Sequence, residues 1–331
     1  MPILDEERHL ADAVARVFEQ DYPGLFEVVL ALGPSRDRTN EIAERLASAE
    51  PRLRLVRNPS GATPDGLNLA VRAARHEVIV RVDGHGLLSP GYVQRAVELL
   101  AETGADNVGG VMAATGTTAF EQAVARAMTS RLGIGGQRFH VGGEPGPVDS
   151  VYLGVFRRST LLELGGFDET FRRAQDWELN YRIRRRGGTV WFSPELVVTY
   201  RPRGSLGAVG RQFFQTGEWR RVVAREHRGT TDLRYLAPPL TVAGITGGVL
   251  AGVVGLLGGP RVLTVGLAAP AGYLALVTTG SLVEGRGLPP QARAWLPLVI
   301  ATMHMAWGVG YLLSPRELAE RARTTTARRA G

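Results

Sequence analysis

Asp176 lies in the run Gln175-Asp176-Trp177-Glu178-Leu179-Asn180-Tyr181-Arg182, which follows Gly165-Gly166-Phe167-Asp168-Glu169 and ends at Gly187-Gly188. The pattern predicts a short amphipathic helix with Leu179 and Ile183 facing inward and Gly187 closing it, and puts Asp176 at the helix start. Two roles suit a carboxylate there. As an N-cap it accepts from the first-turn amides. As a base it is kept ionised by the helix N-terminus and takes a proton only when a hydroxyl attacks. A second carboxylate, Asp83, ends the apolar run Glu77 to Val82 and is followed two residues on by His85. At the carboxyl end of a buried strand, such a pair can hold a divalent cation on the diphosphate of a nucleotide. Asp-Gly is equally a turn dipeptide, and His85 equally a surface histidine. Asp37, in Pro34-Ser35-Arg36-Asp37-Arg38-Thr39, either caps the helix that follows or faces a nucleotide at the sheet edge. Arg182 and Arg184 to Arg186 are a solvated helix face or phosphate contacts.

The elements that must position these groups are legible as alternation. Phe26 to Leu32 and Glu77 to Val82 are short, rich in β-branched residues and bounded by turn formers, and predict buried strands of a parallel sheet. Helical patterns run over Glu7 to Gln20, Thr39 to Ser48 and Ala62 to Arg75, which makes the first domain α/β and doubly wound, with its ligand at the carboxyl ends of the strands. The chain opens on Met1-Pro2-Ile3-Leu4-Asp5-Glu6-Glu7, the end of a first strand and the start of its helix, as a shortened first strand or a misassigned start codon would leave it. Residues 107–160 are Gly-rich and predict irregular structure, with a helix at Thr118 to Arg131 and strand character at Val148 to Phe156. In Leu206 to Glu226, Phe213, Phe214, Trp219 and Val222 alternate with Arg211, Arg220, Arg221 and Arg225. That pattern suits an interfacial helix leading into a membrane, or a solvated helix on the first domain.

The last third is of a different kind. No charged residue occurs from Tyr235 to Pro260 or from Val262 to Val283, and from Ala294 to Ser314 there is no Asp, Glu or Arg and a single His, His304. Each run is long enough to cross a hydrocarbon core of about 30 Å. The predicted organisation is a catalytic domain over 1–203, a basic amphipathic segment over 204–234, a membrane domain over 235–314 with spans 235–258, 262–283 and 294–313, and a basic tail over 315–331. All 39 basic residues are Arg. A P-loop or Schiff-base mechanism is thereby excluded, and the lack of Cys removes thiolate chemistry. Residues 1–200 carry net −3, residues 201–234 net +5 and residues 235–331 net +5. An excess beside the apolar runs fits anionic lipid on the cytoplasmic face and does not fit nucleic acid. No basic n-region and apolar run stand near Met1, so the expected location is the plasma membrane, multi-pass, with the catalytic domain cytoplasmic. Three spans would put the tail, Arg316 to Arg329, outside, against the positive-inside tendency.

Pro2 through Glu7, Ser35-Arg36-Asp37, Gly66-Leu67-Asn68, Val82-Asp83-Gly84-His85, Arg157-Arg158, Gly165 to Glu169 and Gln175-Asp176 with Glu178 to Arg182 occur in the order seen in family 2 glycosyltransferases. Over residues 2–313 the chain resembles that family, and most nearly its membrane-anchored enzymes of the succinoglycan type. The resemblance implies a GT-A fold, a nucleotide-sugar donor, Mg²⁺ or Mn²⁺ at the Asp-x-Asp position, and inversion at the anomeric carbon. It implies that Pro2, Glu6, Asp37, Gly66, Asn68 and Asp83 face the donor, that Asp83 and His85 hold the metal, and that Asp176 is the general base. Asp168, Glu169, Gln175 and Trp177 would lie on the acceptor side, with a lipid-linked or nascent glycan as acceptor.

The chain departs from the family in three places. Leu32-Gly33 stands where many relatives carry an Asp-Asp pair for uracil, and His85 replaces a second Asp, which favours Mn²⁺ over Mg²⁺. The Gln-x-x-Arg-Trp signature of processive synthases is missing, which argues for adding one sugar at a time. Two rivals are a polyprenyl-phosphate sugar synthase of the same fold and a membrane scaffold that has lost catalysis. A dinucleotide-binding oxidoreductase is disfavoured, since no Gly-x-Gly-x-x-Gly follows a strand.

Overall fold

In the computed structural model, residues 1–320 and 322 are described. The chain runs β1 (Pro2–Ile3), α1 (Leu10–Phe18), β2 (Val28–Leu32), α2 (Thr39–Ala49), β3 (Leu53–Arg57), α3 (Thr63–Ala73), β4 (Val78–Val80), β5 (Leu87–Leu88), α4 (Tyr92–Thr103) and β6 (Asn107–Ala114). It continues through α5 (Ala119–Met128), α6 (Arg131–Ile134), α7 (Arg138–Val141), β7 (Gly146–Pro147), β8 (Tyr152–Arg157), α8 (Arg158–Glu163), α9 (Gln175–Arg185) and β9 (Val190–Tyr200). The long helices follow: α10 (Leu206–Glu226), α11 (Leu233–Leu256), α12 (Ala268–Glu284) after a 3₁₀ stretch at Arg261–Leu267, and α13 (Pro290–Leu313). Two units result. Among the described residues, one comprises 1–113, 137–201, 317–320 and 322; the other comprises 114–136 and 202–316.

In the first unit, β1, β2 and β3 form a parallel sheet with Pro2 opposite Ala31 and Val28 opposite Leu53. The apolar composition of β2 buries it on both faces, and α1 lays Leu10, Ala13, Val14 and Val17, one helical stripe, into the same core. A second sheet has the order β4-β8-β6-β9-β5, with β7 also on β9. Here the expectation of a parallel pairing fails for β4: it runs antiparallel to β8, with Val78 opposite Arg157, and is half-buried. An apolar run fixes that a strand is covered but not which way its neighbour runs. A cavity of about 500 Å³, lined by Val28 and Val29 of β2, Leu67 and Val71 of α3, and Val78 and Val80 of β4, lies between them.

Residues 107–114, expected as irregular for their glycines, are a strand. A Cβ at Gly110 would stand 1.8 Å from the Leu196 carbonyl oxygen, and one at Gly109 would stand 2.7 Å from the Val151 side chain. The glycines let neighbouring backbones approach closely, at a register shift between Val108 and Gly110.

In the second unit three helical stretches, Leu233–Leu256, Arg261–Glu284 and Pro290–Leu313, are each long and apolar enough to cross a membrane. α10 occupies the bounds the sequence predicts, but its aromatic residues are not surface anchors. Phe213 and Trp219 are buried, and the Phe213 ring lies 6.4 Å from that of Trp307 on α13. The helices touch through glycine: a Cβ at Gly217 would fall 2.1 Å from the Trp307 carbonyl oxygen, and one at Gly310 2.1 Å from that of Phe214. α5 and α6, expected within the catalytic domain, group with this unit. Most of the basic tail lies outside the described residues.

Candidate active site

The loops that leave β1 and β2 are sewn together. The Asp5 N–H donates to Ser35 Oγ at 3.1 Å, the Glu6 N–H to Thr39 Oγ1 at 2.7 Å, the Glu7 N–H to Asp37 Oδ2 at 3.2 Å, and the Arg36 N–H to Asp5 Oδ1 at 2.7 Å. Asp5 holds a left-handed φ of 54°, a conformation costing a non-glycine residue about 1 kcal/mol or more. Asp37 is not the N-cap of α2, a position held by Arg38, but its Oδ1 accepts from the N–H and hydroxyl of Thr39, the first residue of that helix. The Thr39 hydroxyl is the main reason its carboxyl lies below the usual range. Pro2 and Gly66 form a packing joint, since a Cβ at Gly66 would stand 3.3 Å from Pro2 Cβ and 3.4 Å from Ala31 Cβ.

The Asp83-Gly84-His85 turn follows β4 and leans on the loop after β1. A Cβ at Gly84 would stand 2.9 Å from Glu6 Cγ and 3.0 Å from Ile3 Cδ1, so any larger residue would have to displace those side chains. His85 Nδ1 lies 2.7 Å from Glu6 Oε1. A carboxylate can only accept, so Nδ1 carries the proton, and in the neutral ring Nε2 would be the nitrogen able to ligate a metal. Among the described residues no group of three or more His, Cys, Asp or Glu could enclose an ion. Asp83 with His85 nevertheless fits a cation that brings phosphate oxygens as its other ligands, as Mg²⁺ and Mn²⁺ do in nucleotide sites.

Asp176 is not an N-cap. The cap position belongs to Ala174, whose φ of 62° turns the chain into α9, and Asp176 sits within the first turn. Its side chain is taken by Arg81: Nη1 of the guanidinium bonds Asp176 Oδ1, while Nε and Nη2 bond Asp83 Oδ1 at 3.2 and 3.1 Å. The two carboxylates that the sequence separates by 93 positions thus share one buried cation. The far end of α9 closes as expected, with Gly187 at φ 83° and the Gly188 N–H on the Ile183 carbonyl.

Asn68, on α3 and expected to face the donor, instead spends its amide on the loop before α9: Nδ2 donates to the Phe167 carbonyl at 2.8 Å and to Glu169 Oε1 at 2.9 Å, and Oδ1 accepts from the Phe167 N–H at 2.8 Å. Asp168 closes a local turn by accepting from Thr170 N–H and Oγ1. Gln175 is buried, and Trp177 stacks on Tyr181 with centroids 5.5 Å apart. Arg182 reaches the Leu164 and Gly166 carbonyls and pairs with Glu178, so it pins α9 rather than lying in solvent. The residue that sequence reasoning passed over is Arg81. Its signal was available: a charge inside the apolar run Val78-Ile79-Val80-Arg81-Val82, two positions before Asp83, a spacing that puts both side chains on one side of an extended chain.

A parallel three-stranded layer with a carboxylate turn after β4 is the nucleotide-sugar half of a GT-A fold, and the chain matches the Glycosyl transferase family 2 model over residues 1–165. It belongs to that family and is a glycosyltransferase. It is 31% identical over 318 residues to the succinoglycan biosynthesis protein ExoA of Rhizobium meliloti, covering 94% of this chain and 92% of that one. In fold it is similar to the mannosyltransferase PcManGT of Pyrobaculum calidifontis, solved with GDP-Man and Mn²⁺, with a TM-score of 0.58 and 22% identity over 94% of this chain and 85% of that one. It is also similar to S. aureus TarS 1-349 in complex with UDP, with a TM-score of 0.51 and 15% identity over 94% of this chain and 88% of that one.

Proposed function

We propose that the protein is an inverting hexosyltransferase that takes a sugar from a nucleoside diphosphate, UDP by preference, and adds it to a lipid-linked or nascent glycan in cell-surface polysaccharide synthesis. The observation that carries this reading is that Asp83 and Asp176 meet at Arg81. A charge-holding group at a strand end stands beside a group able to take a proton, the division that glycosyl transfer requires. Asp176 accepts the proton of an acceptor hydroxyl as that oxygen bonds to the anomeric carbon; the bond from that carbon to the diphosphate oxygen breaks on the opposite face, and the nucleotide leaves with the electron pair. Asp83 and His85 would hold a divalent cation, which when bound would supply charge neutralisation on the diphosphate. Glu6 orients His85, Asn68 with Glu169 holds the acceptor-side loop, and Gln175 and Trp177 flank the base.

The catalytic unit faces the cytoplasm, where nucleotide sugars are made, and the three apolar stretches hold it at the plasma membrane. The juxtamembrane arginine excess supports that orientation. The experiment is Asp176→Asn. UDP binding retained with transfer reduced by roughly a thousandfold supports the base assignment. Near-normal turnover overturns it, and a loss under about tenfold points to an acceptor phosphate that is already ionised and needs no base.

A further inference from the structure

Arg81 carries more than the closing of a charge cluster, and the inference rests on the glycosyltransferase reading above. Its side chain is 5% exposed, whereas those of Asp83 and Asp176 are 21% and 34% exposed. Solvent and ligands therefore reach the carboxylates while the guanidinium stays behind them. A planar fork can hold two carboxylates at once, which the single ammonium of a lysine does not reproduce. On Asp83 both of its bonds fall on one oxygen, Oδ1. A divalent cation seeking that oxygen meets a fixed positive charge, in a site shielded enough for like charges to repel strongly.

We propose that Arg81 is a positioning residue that couples occupancy of Asp83 to the placement of Asp176. Without donor, the guanidinium holds both carboxylates and keeps free cations off Asp83. When a cation arrives with the charge of the diphosphate to offset the repulsion, it takes Asp83 Oδ1 and the guanidinium keeps Asp176 alone. Cation binding is then weak before the donor and strong with it, and the base is held in place only while Arg81 remains beside it.

The test is direct Mn²⁺ binding to the full-length protein in detergent, read by electron paramagnetic resonance with and without UDP, for wild type, Arg81→Ala and Arg81→Lys. Arg81→Ala is expected to bind Mn²⁺ about tenfold or more tightly in the absence of UDP, and to lose most of the gain in Mn²⁺ affinity that UDP confers on the wild type. Arg81→Lys, which keeps the charge but not the fork, is expected to move the same way by a smaller factor. It decides the matter if Arg81→Ala does not fold. Mn²⁺ affinities within twofold of wild type in the folded variants, with UDP binding retained, overturn the role of Arg81 and leave the proposed function standing. A wild type that binds UDP without Mn²⁺ also overturns it. A wild type that binds neither removes the donor-site reading and this inference with it.

Discussion

Asn68 grips Phe167 by both sides of its backbone, donating to the carbonyl and accepting from the N–H at 2.8 Å each. One side chain on α3 therefore fixes the Gly165–Glu169 loop, and through it the approach to α9. Gly166 is close enough that a Cβ there would strike Asn68 Oδ1 at 2.3 Å, and its φ of 79° is one that side-chain-bearing residues avoid.

Replacing Asn68 by Ala leaves a buried amide and carbonyl unpaired, at a cost of about 1–3 kcal/mol. The expected outcome is a lower urea midpoint together with a raised acceptor KM, because the loop it releases leads into the helix bearing Asp176. Equal effects on donor and acceptor KM would contradict the acceptor-side placement.

Asp83→Ala should abolish the Mn²⁺ enhancement of UDP binding, and treatment with EDTA should weaken UDP binding to the wild type but not to the variant. Calorimetric titration of UDP with each protein checks this. Donor binding indifferent to both would remove Asp83 and the cation from the mechanism.

His140 supplies a pH dependence. Burial pushes its pKa from the ordinary 6.5 down to about 3. The unfolded chain therefore binds a proton first, so the contribution of the neutral ring is complete above pH 6.5 and is lost progressively as pH falls toward 3. Melting of the wild type should drop between pH 7 and 5, and His140→Phe should melt with a visibly shallower dependence. Parallel curves would refute the assignment.

In the second unit Gly217→Val should cost about 1–3 kcal/mol or more, since the new side chain meets backbone on α13 rather than a movable side chain. A fall in the fraction of monodisperse protein after detergent extraction, and in its melting temperature, is expected; Gly207→Val on the same helix, where the nearest atom is the end of Arg211, is the control.

Helices with a clear apolar stripe were readable from the sequence: α1, α2, α3 and α10 fall close to their expected bounds, and the three apolar stretches coincide with long helices. Pairing direction was not, because Val78-Ile79-Val80 reads the same whichever way its neighbour runs. Gly109 and Gly110 misled for a related reason: a glycine that admits a neighbouring backbone looks, in one dimension, like a glycine in a loop. Asp83 and Asp176 could be singled out by where they stand on their elements. That one guanidinium joins them is a long-range fact, and only the charge of Arg81 in an apolar run, two positions before Asp83, hinted at it. Asn68 and Glu169 were visible as motif residues, yet their hydrogen bond is across sequence-distant elements and leaves no periodic trace.

β4, the strand behind Arg81 and Asp83, is the outer strand of its sheet and borders a cavity of about 500 Å³. A strand held along one edge opens at a lower free energy than β2, which is paired on both sides. Ligand binding at Asp83, as proposed above, would stabilise the closed form by mass action. The Ile79 amide, which by the alternation of the antiparallel ladder faces β8, thus becomes a built-in gauge: its hydrogen-exchange rate would register how full the proposed donor site is, even when no sugar is being transferred.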